Sequence, residues 1–247
     1  MNAPKGILYG VGLGPGDPDL MSVKAARIVA ASTTIAYFRK AGLAGHARTI
    51  VEGLVAKSVC EIALEYPVTT EMPVAGEGYI NAIRDFYAGA AERLAGVLDG
   101  GQDVALLCEG DPFFYGSFLH IYDRLRGACR VEVIPGITGM SGCWTRAALP
   151  ITYGDDVLTV LPGTLPEAVL AEKLRATDAA VIMKVGRNLE KIRASLESAG
   201  RLSDAIYVER GTMAGERIVP LASLEHAGAP YFSIILVPGG RGRRIKP

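Results

Sequence analysis

Four apolar residues, Val104-Ala105-Leu106-Leu107, run straight into Cys108-Glu109-Gly110-Asp111-Pro112. A short hydrophobic run that stops at Gly-Asp-Pro has the form of a buried strand ending at a ligand pocket. Gly110 permits close approach to the backbone. Asp111 adds an acceptor at the strand's carboxyl end, and Pro112 stops the strand and fixes φ. In open α/β sheets, ligands sit in the crevice outside the carboxyl ends of the strands. Two other apolar runs end in the same way. Residues 7–11 lead into Gly12-Leu13-Gly14-Pro15-Gly16-Asp17-Pro18, and residues 130–134 into Pro135-Gly136-Ile137-Thr138-Gly139.

Between these runs lie helical periods. Residues 19–31 read as a first helix, followed by strands at 33–38 and 59–64. Ile80, Ile83, Phe86, Ala90, Leu94 and Val97 recur at three- and four-residue steps and predict a long amphipathic helix. Phe118, Ile121, Tyr122 and Leu125 predict another. Strand and helix alternate, so the first sheet is expected to be largely parallel. A small-residue helix then runs to about Ala148. Beyond it come strands at 157–161 and 179–184, helices at 167–175 and 188–198, and short strands at 205–209, 216–220 and 231–237. Asn188 reads as an N-cap and Gly200 as the residue after the helix end. The basic, glycine-rich tail 239–247 reads as loose. The expected fold is α/β with two domains, 1–140 and 141–247.

Composition limits the function. Lys and Arg total 26, as do Asp and Glu, so the net charge gives no overall pull toward nucleic acid or an anionic membrane. No apolar run approaches the ~18 residues of a membrane helix. The N-terminus lacks the apolar core of a signal peptide. The four cysteines show no CxxC spacing, and Cys60 and Cys108 read as small buried thiols. A reduced, cytoplasmic compartment is expected. The three histidines are scattered, so no metal site is expected.

The glycines of the first loop suggest a dinucleotide site, but two details oppose it. Pro15 removes an N–H where a pyrophosphate needs donors. The second strand ends Tyr37-Phe38-Arg39-Lys40, with no acid for a ribose. A turn chosen only for its geometry is the alternative. The string Cys108 to Ser117 is more specific, with two carboxylates, three aromatics and a second glycine. Phe113 and Phe114 can equally be core packing. Pro135-Gly136-Ile137-Thr138 offers N–H groups and a hydroxyl to a polar ligand, or is a helix start with Thr138 as N-cap. Arg39, Lys40, Arg146, Lys184 and Arg187 fall near element ends. Lys184 stands out because it closes an apolar strand.

Taken in order, five motifs resemble those of one family, the tetrapyrrole methylases, which use S-adenosylmethionine (SAM). They are Val11 to Pro18, Glu109 to Pro112, Val133 to Thr138, Met183-Lys184-Val185-Gly186 and Val208-Glu209-Arg210-Gly211-Thr212. The segment 61–69, the Glu-Gly-Asp-Pro-Phe-Phe-Tyr-Gly-Ser string and Tyr231-Phe232-Ser233 resemble the branch that methylates precorrin-2 at C-20 in cobalamin synthesis. Cys108 stands where serine is expected in many relatives. The resemblance implies a class III SAM methyltransferase: two α/β domains, an active site in the cleft between them, and a homodimer. The first glycine loop then lies beside the tetrapyrrole cleft. By position, the implied SAM contacts are Pro15, Glu109, Gly110, Asp111, Phe114, Thr138, Gly139, Met183, Lys184, Val185, Gly211, Thr212 and Ser233.

SAM carries its own electrophile and leaving group, so the protein need supply only orientation and desolvation. The methylated carbon must then lose a proton, and Asp111 and Glu109 are candidates for the base. Both carboxylates equally suit fixing SAM or the loop, the role favoured here. The carboxylates of the tetrapyrrole need local cations, for which Arg39, Arg146 and Lys184 are the candidates. Other readings stay open: a cobalt-loaded acceptor, another ring position, an NADP-dependent reductase with Arg39 and Lys40 on the 2′-phosphate, or a tetrapyrrole-binding module without catalysis.

Overall fold

A computed structural model describes residues 4–67, 76–225 and 228–240. Val68 and Thr69 of the 61–69 motif, and the tail from residue 241, lie outside them. The chain separates into two compact units, Met1–Thr138 and Gly139–Pro247.

The first unit holds β1 (Ile7–Gly12), α1 (Val23–Ala31), β2 (Thr34–Lys40), α2 (His46–Ile50), β3 (Cys60–Tyr66), α3 (Glu77–Asp99), β4 (Val104–Cys108), α4 (Phe118–Leu125) and β5 (Arg130–Ile134). Its sheet has the order β3-β2-β4-β1-β5, and every pair is parallel. The chain leaves β1 toward β2 on one side and leaves β4 toward β5 on the other. With right-handed crossovers, opposite directions send the helices to opposite faces. Accordingly α1 and α2 pack with Val11, Ile35 and Leu107, while α3 and α4 pack with Leu8, Ala36 and Leu106. Every residue of β4 is buried, as a strand covered on both faces requires. β1 and β4 are adjacent and their ends are level, with Gly12 opposite Cys108, while their connections leave for opposite faces of the sheet. Such a switch point is where open α/β sheets bind ligands.

Three expectations need correction here. The helix anticipated over 19–31 is two pieces. Pro18–Leu20 forms a 3-10 turn, and α1 starts afresh after Ser22, whose hydroxyl accepts from the Ala25 N–H. On α3 the buried stripe is Tyr87, Ala90, Ala91, Leu94 and Leu98, and Ile80 is exposed. Cys60 is exposed at the start of edge strand β3, whereas Cys108 is buried against the α3–α4 face.

The second unit holds α5 (Gly139–Arg146), β6 (Leu158–Pro162), α6 (Glu167–Arg175), β7 (Ala179–Met183), α7 (Leu189–Ser198), β8 (Ile206–Glu209), β9 (Arg217–Pro220) and β10 (Ser233–Val237). Its sheet order is β6-β7-β10-β8-β9. Only β6 and β7 are parallel; β10 runs antiparallel to both β7 and β8. Ala180, Ile182, Ile235 and Val237 face α6 and α7, and Ala179, Val181, Ile234 and Leu236 face the α5 side. Leu189, Ile192 and Leu196 of α7 are fully buried, as their spacing predicts. Gly200, at φ +66°, ends α7. Its N–H reaches Glu197 O and that of Arg201 reaches Leu196 O, the 5→2 and 6→1 bonds of a Schellman cap. Asn188 departs from expectation. It precedes α7, but its side chain makes no cap; Nδ2 donates back to Lys184 O at 3.1 Å.

Candidate functional site

The carboxyl edge of the first sheet is built by backbone in contact with backbone. The Leu13 N–H donates to Cys108 O at 2.9 Å. Gly14 and Gly110 exchange a pair of bonds, 3.3 Å from Gly14 N to Gly110 O and 2.7 Å in return. Gly136 is pressed on the same spot, because a Cβ there would lie 2.0 Å from Gly110 O. One on Gly12 would lie 2.6 Å from Gly136 N. No side chain fits at either position, so the loops after β1, β4 and β5 come together only as glycine.

Asp111 fastens this edge. Its Oδ1 accepts from the Phe113 N–H at 2.9 Å, and its Oδ2 from the Gly136 N–H at 3.0 Å. Both carboxylate oxygens are engaged by main-chain donors. Glu109 is engaged too, with Oε1 accepting from the Ala47 N–H at 3.0 Å. Ala47 lies in the first turn of α2, whose N-cap Gly45 has no side chain to offer. Gly45 is itself obligatory, since a Cβ there would meet Tyr37 and the Phe38 carbonyl. The borrowed carboxylate therefore satisfies a helix-end donor that the local sequence cannot. The Glu109 residue keeps an exposed surface, yet desolvation of its carboxyl raises its pKa, opposed by hydrogen bonds from its own N–H and that of Ala47.

Pro15 is buried and Phe114 is half-buried beside Tyr115. Phe113 packs against Phe118 and Tyr122, so its ring belongs partly to the core face. At the ends of β2 and β3, Arg39 gives Nε and Nη2 to Glu65 Oε1, at 2.9 and 2.6 Å. Ser117, closing the Gly-Asp-Pro string, takes the Tyr87 hydroxyl at 3.0 Å and also bonds to the Tyr66 hydroxyl.

The second unit gathers its share of the expected residues at two strand ends. Met183 ends β7, and its carbonyl accepts from the Gly163 N–H at 2.6 Å. Lys184 turns to φ +56° and is exposed, while Val185 is fully buried. After β8, Arg210 and Thr212 both take positive φ, +51° and +69°, on either side of buried Gly211. A Cβ on Gly211 would lie 2.7 Å from Cys143 Sγ, so only glycine packs there against α5. Burial raises the Cys143 pKa to about 12. Ser233 starts β10, buried, with its Oγ 3.0 Å from the Tyr207 hydroxyl, which also donates to Glu209 at 2.9 Å. Desolvation, more than the Glu209 bond, raises the Tyr207 pKa to about 12.

Two contributors carry no signal in the sequence. One is α2, a five-residue helix too short for a period. The other is Glu216, which Arg146 grips with Nε at 2.9 Å from both oxygens and Nη2 at 2.8 Å from Oε1, across 70 residues of sequence. Among the described residues, no group of three or more His, Cys, Asp or Glu is placed to hold a metal ion, and no helix is long and apolar enough to cross a membrane.

Residues 7–226 match the tetrapyrrole (corrin/porphyrin) methylases. A precorrin-2 C(20)-methyltransferase of a Sinorhizobium species is 53% identical over 238 residues, spanning 96% of this chain and 97% of that protein. A cobalt-precorrin-2 C(20)-methyltransferase of Salmonella typhimurium is 28% identical over 94% of this chain and 96% of that one. Among solved structures, a cobalt precorrin-4 methyltransferase superposes with a TM-score of 0.68 at 21% identity, covering 94% of each chain. A Thermus thermophilus uroporphyrin-III C-methyltransferase bound to S-adenosylhomocysteine gives 0.61 at 23% identity, covering 94% of this chain and 97% of that one.

Proposed function

The chain belongs to the tetrapyrrole methylase family, and from that premise we propose that it methylates precorrin-2 at C-20 with SAM, yielding precorrin-3A in cobalamin biosynthesis. What carries the reading is 53% identity, across nearly the whole of both chains, to a precorrin-2 C(20)-methyltransferase. The lower identity of the cobalt-precorrin-2 relative, 28%, favours the metal-free acceptor. An NADP-dependent reductase is disfavoured, because buried Pro15 and the Gly14–Gly110 pairing leave the first loop poor in donors for a pyrophosphate.

The residues present fit such a donor. SAM bears one carboxylate, one amine and one sulfonium, and needs many close main-chain contacts more than charged side chains. Gly12, Gly110 and Gly136 in one unit, and Gly211 in the other, are positions where a Cβ has no room or the backbone turns left-handed. The donor contacts proposed are Pro15, Glu109, Gly110, Asp111, Phe114, Thr138 and Gly139, with Met183, Lys184, Val185, Gly211, Thr212 and Ser233. That one donor molecule draws on both units is part of the proposal. When bound, SAM supplies a methyl group whose departure leaves a neutral thioether.

The protein's part is to orient the acceptor carbon in line and to keep water out. Asp111 and Glu109 each hold a backbone N–H, and this favours a positioning role over a proton-accepting one. Arg39, Arg146 and Lys184 are proposed to meet the acceptor's carboxylates. For the two arginines this means sharing a guanidinium already bonded to Glu65 or Glu216. A homodimer working in the cytoplasm completes the proposal.

Incubation with SAM and either precorrin-2 or its cobalt form, followed by mass and absorbance, tests the reading. One methyl gained on the metal-free acceptor is expected. No association of SAM or S-adenosylhomocysteine in calorimetry overturns it.

A further inference from the structure

We propose that Glu216 is a positioning residue that holds the Gly211-Thr212 turn in its donor-binding shape, with Arg146 as the arm that fixes Glu216. The inference rests on the donor reading above for its consequence, though its geometry stands without it.

The turn after β8 is unusual in its backbone. Arg210 and Thr212 take φ of +51° and +69°, and neither is glycine. A left-handed residue with a side chain costs about 1 kcal/mol, and a β-branched threonine more. Such a conformation persists only where its surroundings over-determine it. Two backbone bonds contribute, from Arg210 N to Phe232 O and from Met213 N to Arg210 O, each 2.8 Å. The Thr212 N–H points instead to Glu216, with Oε2 at 2.8 Å.

That carboxylate is only 17% exposed and takes three donors: the Thr212 N–H and the Nε and Nη2 of Arg146. Charge-assisted bonds of this kind are shorter and stronger than neutral ones. Arg146 is the last residue of α5, and Gly211 packs on the same helix at Cys143. The helix therefore touches the turn twice, once by close packing and once through the ion pair. Its first residue, Gly139, is itself a proposed donor contact. One carboxylate thus sets the spacing between two segments proposed to hold the donor, while touching no reacting atom.

The variants Glu216→Ala and Glu216→Gln are compared with wild type by S-adenosylhomocysteine calorimetry, steady-state kinetics and amide exchange. Alanine removes every bond. Glutamine keeps an acceptor for the Thr212 N–H and loses the charge pair. Glu216→Ala is expected to weaken S-adenosylhomocysteine and raise the KM for SAM about tenfold, with Glu216→Gln between it and wild type. The Thr212 amide should exchange slowly in wild type and fast in the alanine variant. Equal donor affinity in folded Glu216→Ala overturns the proposal, as does Thr212 amide exchange unchanged from wild type. If the alanine variant does not fold, a glutamine variant matching wild type in its KM for SAM overturns it. If wild type itself binds no S-adenosylhomocysteine, the donor reading fails, and Thr212 exchange alone decides the clamp: equal rates in wild type and variant overturn it.

Discussion

The two units shape their strand-end loops by opposite means. In the first, the loops after β1, β4 and β5 meet at glycines so close that a methyl group would overlap a neighbouring backbone atom. In the second, the turn after β8 keeps side chains at its left-handed positions and is held by a carboxylate from four residues on. At this parallel edge the ends of β1 and β4 are level, and the loops that follow meet where glycine leaves no side chain between them. An antiparallel sheet such as β7-β10-β8 places alternate strand ends at opposite edges. There the turn after β8 packs on α5 at Gly211, and its further cost is left-handed backbone at Arg210 and Thr212.

The contrast breaks most easily at Gly136. Gly136→Ala should destabilise the first unit by about 3 kcal/mol or more and abolish donor binding, because its Cβ would lie 2.0 Å from a carbonyl oxygen. Denaturant unfolding and calorimetry measure both. Near-native stability would mean that the edge is not built by close approach.

Asp111 comes next. Asp111→Ala leaves the Gly136 and Phe113 amides without their acceptor, at about 1–3 kcal/mol each where buried. In Asp111→Asn, kcat should fall while its pH profile keeps the wild-type shape. Loss of the acid limb would make Asp111 the base.

The pH response separates the units further. Hydrogen bonds from Arg146, first, hold the Glu216 carboxyl below its ordinary value. Its folded-state pKa is thus depressed, so its stabilisation is present above the unfolded pKa and is lost as pH falls through the folded one. Glu109 has the opposite sign, raised mainly by desolvation. Its contribution is full below the unfolded pKa and is lost as pH rises through the folded one. Above about pH 4, Glu109→Gln should gain stability relative to wild type as pH rises, whereas the deficit of Glu216→Gln should shrink as pH falls below about pH 4. Parallel curves for the two variants would erase the distinction.

The smallest effect is expected at Arg210. Arg210→Gly relieves a left-handed side chain and should change stability by no more than about 1 kcal/mol, as thermal unfolding would measure. A loss as large as that of Gly136→Ala would show that side chains in this turn carry more than conformational cost.

The sequence made the first edge readable because its physics is local. An apolar run followed by glycine and proline reports a strand and its end within ten residues, and β1, β4 and β5 appear where those runs lie. Ser22 shows a limit of such reading, since a periodic pattern over 19–31 concealed a fresh helix start. Cys60 shows another: an edge position in the sheet leaves it exposed, and strand order is not a local property. The Glu109 cap on α2 and the Arg146–Glu216 pair join residues 62 and 70 positions apart, beyond any spacing rule.

The order of strands in the first sheet has a consequence for how the chain comes to be folded. β1 precedes β2 to β5 in the chain, yet among the described residues it pairs with β4 and β5, so Leu8 meets Val104 and Val131. A nascent chain that has emerged only through β3 therefore holds β1 without the neighbours it pairs with in the finished sheet. Pairing across about a hundred residues closes a long loop before it is rewarded, which slows folding. Until then β1 is an unpaired apolar strand, the kind of segment through which incompletely folded chains aggregate.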